Sequence, residues 1–382
     1  MRRLVLASIF PLLALVASAR SAGAMPVFAE AYGYDCSKCH IQVPALNSYG
    51  RYVQRTEYEA LDRHVLAEIV PIWVGEQANY DTMGSFEAHH VQFGGLAIHV
   101  AGYLADDVTT HIQQWVVEND EPGPLDTAWV SYNHLFGPNT HLVYGLQPVP
   151  GPSLFSQWMD LAPFAVPDTV VGEHTQEFED NRWGTKVGWA TPYFAADIGY
   201  FGSEAGLSGA TDFSDDTDKA VQWNVEYAPF DHPLQLGVYG SHGTAPLGEG
   251  GIDRYAGTAA YFQYDETPHA PGVLLLYQRG WDGNAGQVNP GQPNPLPLGP
   301  AASNGTIAEL FYKPLRHYEG LVSVREELSS NGLGTVIHTS NADINFRVAR
   351  FIHATIEGYA QSLGKPGVRY QLWWTTPIEK AH

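Results

Sequence analysis

Cysteine is almost absent from this chain: Cys36 and Cys39 are the only two in 382 residues. With no other thiol to pair, the chain cannot build a disulfide framework. Basic residues are also scarce, 20 Lys and Arg against 41 Asp and Glu, for a net charge of −21. That balance argues against nucleic acid as a partner and for cations. Past the N-terminus there is no apolar run of the roughly 18 residues that a membrane helix needs. Also missing are GxSxG, HExxH, a Walker loop and a dinucleotide-binding glycine pattern, so the common signatures of hydrolases, zinc proteases and nucleotide enzymes are lacking.

The N-terminus has Arg2 and Arg3, an apolar run from Leu4 to Ala19, and the small-residue site Ala22-Gly23-Ala24. This reads as a secretory signal peptide over 1–24. Arg2, Arg3 and Arg20 leave with it, so the net charge of the exported chain becomes −24.

The two cysteines fall in Cys36-Ser-Lys-Cys39-His40. Thiols three positions apart reach the two vinyl groups of one porphyrin, and the histidine directly behind them is carried under the ring to ligate iron. We therefore expect one covalent haem c, with Cys36 and Cys39 as thioethers and His40 as proximal ligand. A thioredoxin-like CxxC requires a strand before it and a helix at it, zinc requires further ligands, and a plain disulfide leaves His40 unexplained. The second axial ligand is open among Met25, Met83, Met159, His64, His89 and His90, with His64 and Met83 nearest in sequence. Arg51 and Arg55 are candidate partners for the haem propionates. Phe28, Tyr32, Tyr34, Tyr49 and Tyr52 are candidate packing residues.

After about residue 64 the pattern has period two. In "AVQWNVEYA", Val221, Trp223, Val225 and Tyr227 alternate with Gln222, Asn224 and Glu226, and "DINFRVAR" and "GVRYQLWW" do the same. About sixteen such segments run from 66–78 to 366–376, each near the length of a tilted membrane strand. Polar loops such as 203–218 and 284–304 alternate with short turns such as 229–232 and 364–367, and 16 Phe, 21 Tyr and 10 Trp can supply interfacial girdles. The expected fold is all-β, an outer-membrane barrel of about 16 antiparallel strands over 64–382. A small, mostly helical or loop segment over 25–63 would plug or cap it. Residues 150–180 break the pattern and read as an extracellular loop, with folding into the lumen as the alternative. Arg325, Arg347 and Arg369 recur every 22 residues on the polar face. We expect them to form lumen ion pairs with residues such as Glu319, Glu327 and Asp343, with propionate binding as the alternative.

The segment "MPVFAEAYGYDCSKCHIQVPALNSYGRYV", residues 25–53, resembles the N-terminus of the outer-membrane monohaem cytochrome-porin fusion family, whose best-known members oxidise iron. Phe28, Ala29, Cys36, Cys39, His40, Pro44, Leu46, Tyr49, Gly50 and Arg51 carry the likeness. The resemblance implies a cytochrome segment in a porin of about sixteen strands, passing electrons from extracellular Fe(II) to a periplasmic c-type cytochrome. The chain departs from many outer-membrane barrels in continuing past Trp374 as "TTPIEKAH". Two other functions remain open: a diffusion channel with a structural or sensing haem plug, and a soluble periplasmic electron carrier on a β scaffold.

Overall fold

The computed structural model describes residues 26–66, 72–82, 91–118, 121–154, 161, 164–167, 181–202, 219–246, 252–283, 299–315, 320–332, 334–349, 351–362 and 364–377. The signal-peptide region, Met83 and the other methionine candidates lie outside them, as do His89 and His90.

The N-terminal segment comprises α1 (Pro26–Tyr32), a 3₁₀ turn (Cys36–Lys38), a ribbon of β1 (His40–Gln42) and β2 (Ala45–Leu46), α2 (Ser48–Arg55) and α3 (Arg63–Leu66). The wall follows: β3 (Ile72–Asp81), β4 (Val91–Ala105), β5 (Val108–Glu118), the two-residue β6 (Glu121–Pro122), β7 (Leu125–Asn133), β8 (Thr140–Pro148), β9 (Asn181–Ala190) and β10 (Phe194–Phe201). It continues with β11 (Lys219–Tyr227), β12 (Leu234–Pro246), β13 (Ile252–Tyr264), β14 (Gly272–Asp282), β15 (Ala301–Leu315), β16 (Gly320–Ser330), β17 (Val336–Ala349), β18 (Ile352–Gln361) and β19 (Gly367–Pro377). Each long strand pairs antiparallel with its neighbours, and β19 closes on β3 in a register that sets Arg369 opposite Asp81 and Thr375 opposite Gly75. The sixteen long strands therefore form one closed barrel. The first begins six residues later than its pattern suggested, because residues 63–66 form α3 and belong to the N-terminal segment.

The alternation sorts in the sense opposite to a soluble protein. On β11, Gln222, Asn224 and Glu226 face inward and are buried, while Val221 and Val225 face outward, Val225 with 49% of its surface exposed. On β16, Ser323, Arg325, Glu327 and Ser329 are inside and Val322, Val324 and Leu328 outside. An apolar exterior on a closed wall is stable only against hydrocarbon. Exposed aromatics mark both rims, Tyr132, Tyr193, Phe194 and Tyr312 at one end, Phe93, Tyr200 and Trp281 at the other. A soluble β scaffold is thereby set aside.

The connections at one end, 106–107, 134–139, 191–193, 228–233, 265–271, 316–319 and 350–351, are all short. The longest connections, among them 149–180, 202–218 and 283–300, all lie at the other end. By the usual sidedness the short end is periplasmic. The short turn at 362–366 belongs to the long-loop end, so length alone misassigned it.

The segment after β8 enters the lumen instead of lying outside as expected. Leu154, Phe164 and Val166 are buried against Tyr239, Tyr261, Leu274 and Ile307. The Val166 N–H donates to Glu327 (3.0 Å) and the Leu161 N–H to Glu357 (2.8 Å), while Arg325 lies 4.5 Å from the Phe164 ring. Two members of the arginine stripe are lumen ion pairs: Arg325 with Glu327 at 3.0 Å, and Arg369 with Asp81 at 3.0 Å and Glu357 at 3.6 Å.

At the periplasmic end the N-terminal segment packs against several strands of the wall. Val27, Phe28, Val53, Tyr58 and Leu61 pack on Trp73, Ala101, Trp129 and Val143 of β3, β4, β7 and β8. Ile41 and Ala45 pack on Phe311 of β15 and Leu321 of β16. Between these apolar contacts lie charged clasps. Arg51 makes a two-pronged bond to Asp265 at 2.7 and 3.1 Å, Arg55 bonds Glu226 at 3.3 Å and the Ala228 carbonyl at 2.5 Å, and Lys186 reaches Glu57 at 2.9 Å. At the rim, His134 bonds both Glu59 and Asp107 (3.2 Å to the latter).

Two outcomes follow for the clasps. Arg51 and Asp265 are nearly inaccessible, 2% and 5%, so Arg51→Ala strands a buried carboxylate at a cost of about 3–5 kcal/mol. Amide exchange in α2 should accelerate correspondingly while heat-modifiable gel migration reports an intact barrel, and adding Asp265→Asn should restore part of the protection. His134 loses affinity for its proton through desolvation, but the hydrogen bonds and charges of Glu59 and Asp107 outweigh this and raise its pKa. A raised folded value stabilises the rim contact fully below the unfolded pKa of about 6.5, and the contribution is lost as pH rises through the folded value. Proteolysis near residues 56–66, relative to His134→Gln at the same pH, should therefore increase as pH rises past that range.

Candidate functional site

The CxxCH turn is held by a small number of directed bonds. Asp35 caps it, its carboxylate accepting from the Ser37 N–H at 3.0 Å, and the Cys39 N–H donates to the Cys36 carbonyl at 3.1 Å. Asn47, the N-cap of α2, ties the helix to the turn. Its amide donates to the Ser37 and Lys38 carbonyls (2.9 and 3.2 Å), its backbone N–H to the Cys39 carbonyl (2.9 Å), and its side-chain oxygen accepts from the Gly50 N–H (2.9 Å). Gly50 is required by contact, since a Cβ there would stand 2.0 Å from the Cys39 carbonyl oxygen.

His40 Nδ1 lies 2.8 Å from the Pro44 carbonyl. A carbonyl only accepts, so the proton is on Nδ1 and the Nε2 lone pair remains available, the arrangement that orients a metal-binding imidazole. Burial lowers the His40 pKa to about 4, so the ring is neutral at physiological pH. Burial pushes the Cys39 thiol up to about 11, the reverse of the depressed pKa of a redox-active CxxC thiol. Among the described residues no group of three or more His, Cys, Asp or Glu is arranged to hold a bare metal ion.

Cys39 and His40 border a cavity of about 390 Å³ between the N-terminal segment and the wall. Its lining is mainly apolar, including Phe28, Val43 and Leu46 from the plug and Trp73, Trp115 and Trp373 from the wall. The volume is within the range of about 300–1,000 Å³ of small-molecule and cofactor sites. Cys36 is buried at the other end of the 3₁₀ turn. An apolar slot beside Cys39, with a neutral imidazole nitrogen available, is compatible with a covalently attached haem. The cavity, the Nδ1-bonded His40 and the Cys36–Cys39 spacing are the features that fit.

The other sequence candidates are placed differently. Arg51 and Arg55 are committed to Asp265 and Glu226 and border a separate pocket, so they do not serve as propionate partners in this arrangement. His64 is exposed on α3 and does not border the cavity, which removes it as a second iron ligand; Met83 lies outside the described residues. Phe28 and Tyr34 reach the cavity, whereas Tyr49 lies beneath Lys38 and Tyr52 packs on Phe230.

Three histidines that the sequence reading passed over border the same cavity: His99 on β4, His111 on β5 and His353 on β18. His99 stacks on Trp73 at 4.7 Å, and His111 Nδ1 is 2.9 Å from the Tyr58 hydroxyl. Their only sequence signal was an inward phase near the periplasmic end of a strand.

No protein-family model and no curated protein matches the chain. Solved structures do match it in fold. An anion-selective porin from Comamonas acidovorans aligns with a TM-score of 0.58 and 12% identity, over 80% of this chain and 98% of that one. OmpF of Salmonella typhi gives 0.55 and 11%, over 80% and 97%. A loop-deleted OmpT of Vibrio cholerae gives 0.54 and 8%, over 80% and 98%. The fold and the apolar exterior together are those of an outer-membrane barrel in contact with lipid, as the sequence led us to expect.

Gly50→Ala should force α2 away from the CxxCH turn, at roughly the 1–3 kcal/mol of an overpacked contact. Exchange of the Cys39 and Asn47 amides should rise in that variant and stay unchanged in Gln54→Ala on the same helix.

Proposed function

We propose that this chain is an outer-membrane electron conduit: a plugged barrel that carries one haem c and moves single electrons from an extracellular donor, Fe(II) in the leading case, to a periplasmic c-type cytochrome. The observation that carries the reading is His40, with its Nδ1 proton held by Pro44 and its Nε2 left available, next to Cys39 on an apolar cavity. Haem attached at Cys36 and Cys39 would supply a one-electron iron couple, and no general acid or base is needed.

The chain's own residues do the remaining work. Asn47 and Gly50 hold the turn, the wall tryptophans exclude water from the cavity, and the Arg51 and Arg55 clasps keep the segment at the periplasmic end. The acidic excess of the exported chain favours a divalent cation as donor. The packing of the N-terminal segment inside the lumen supports electron passage, because an electron needs no continuous water path.

A second reading, a diffusion channel with a structural or sensing plug, is favoured by the likeness to porins. On the likeness of fold alone it is the better supported of the two. The acid-rich lumen of such a channel suits cations, unlike the selectivity named for the Comamonas porin.

Two measurements separate the readings. Under the conduit reading, adding Fe(II) to intact, oxidised cells should reduce a covalently bound haem, and Cys36→Ala/Cys39→Ala should abolish the signal. Reduction only after cell breakage would rule out uptake from outside. Large, steady single-channel currents from the intact protein in planar bilayers would establish the channel reading instead.

A further inference from the structure

We propose that His353 on β18 supplies the second axial ligand to the haem iron, so that the plug and the barrel wall are joined through the metal. This rests on the haem reading of His40 given above.

Two observations favour His353 among the wall histidines. First, it borders the cavity that Cys39 and His40 border and is 3% exposed, whereas His99 and His111 are half-buried; like a ring nitrogen of each of those two, its Nδ1 makes no hydrogen bond among the described residues. A buried imidazole without a partner is costly to keep, and a metal supplies a partner. Second, a chain of buried hydrogen bonds links the two faces involved. Gln42, two residues after His40, donates to Asn345 at 2.9 Å, and Asn345 donates to Thr355, two residues after His353, at 2.8 Å. On β18 residues two apart share a face, so Thr355 and His353 face the same way; β1 is irregular between His40 and Gln42, and the bridge brings the start of the chain to within two residues of His353 in sequence. His99 is stacked on Trp73 at 4.7 Å and His111 bonds the Tyr58 hydroxyl at 2.9 Å, whereas His353 has a tilted ring contact with Trp373 at 5.9 Å.

The ligand set would then be two neutral imidazoles, one from the start of the chain and one from near its end. That set gives a lower potential than a histidine–methionine pair. It also makes iron coordination dependent on barrel closure, because β18 stands beside the plug only once the wall has formed.

The test uses the full-length holoprotein in detergent, with heat-modifiable migration as a check on folding and haem staining as a check on attachment. The wild type should show a low-spin ferric haem with a bis-imidazole signature in electron paramagnetic resonance. His353→Ala should retain covalent haem, become high-spin and bind carbon monoxide when reduced, and added imidazole should restore the low-spin signal. His353→Met should stay low-spin, gain a sulfur-to-iron charge-transfer band and shift to a higher potential; it decides the matter if the alanine variant fails to fold. His99→Ala and His111→Ala should remain low-spin. A low-spin His353→Ala, a high-spin wild type, or conversion by either of the other two variants would overturn the proposal. Loss of covalent haem from the wild type would overturn the haem reading itself, and with it this one.

Discussion

A backbone N–H or C=O left unpaired in hydrocarbon costs several kcal/mol, so a membrane-crossing sheet must have no edge. In this chain the pairing of β19 with β3 meets that requirement, and the other features follow from it. Closure fixes an inside and an outside, and the period-two alternation then directs one residue set to lipid and the other to the lumen. The lumen set is polar and rich in charge, with Glu226, Glu309, Glu327, Asp343 and Glu357 all buried there. Anything that enters such an interior must bring countercharges and hydrogen-bond donors.

Both elements that enter it do so. The segment after β8 satisfies Glu327 and Glu357 with backbone N–H groups and lays Phe164 against the Arg325 guanidinium. The N-terminal segment brings Arg51 and Arg55 to Asp265 and Glu226. Buried ion pairs of this kind contribute little net stability but strongly penalise any arrangement that separates them. Their effect is therefore to select one orientation of the plug, and that orientation sets Cys39 and His40 against an apolar cavity of about 390 Å³.

These features were unequally legible in the sequence. The sixteen strands were readable because a lipid-facing and a lumen-facing residue must alternate, and that signal is local to each strand. Cys36, Cys39 and His40 were readable because their spacing is itself the chemistry. Arg51 and Arg55 read as propionate partners because their actual partners, Asp265 and Glu226, lie far along the chain and nothing near either arginine announces them. His64 was favoured for its nearness in sequence, a poor guide in a barrel, where β18 stands beside residues that are translated first. The segment at 150–180 looked like an external loop because its apolar residues had no visible partner, and Tyr239, Tyr261, Leu274 and Ile307 become that partner only once the wall is closed.

Closure also orders events in time. The residues that would attach a cofactor occupy the first stretch after the signal region, while the carboxylates that clasp the plug, and the wall histidines that border its cavity, come from strands made later. A plug bound through Asp265 and Glu226 cannot dock before β11 to β14 exist, and an apolar cavity shared by plug and wall cannot exclude water before the barrel is complete. Attachment is a local property of the CxxCH turn, whereas the dielectric around it is a property of the finished barrel. The protein can thus carry its cofactor site through export in one environment and acquire the environment that tunes it only on assembly in the membrane.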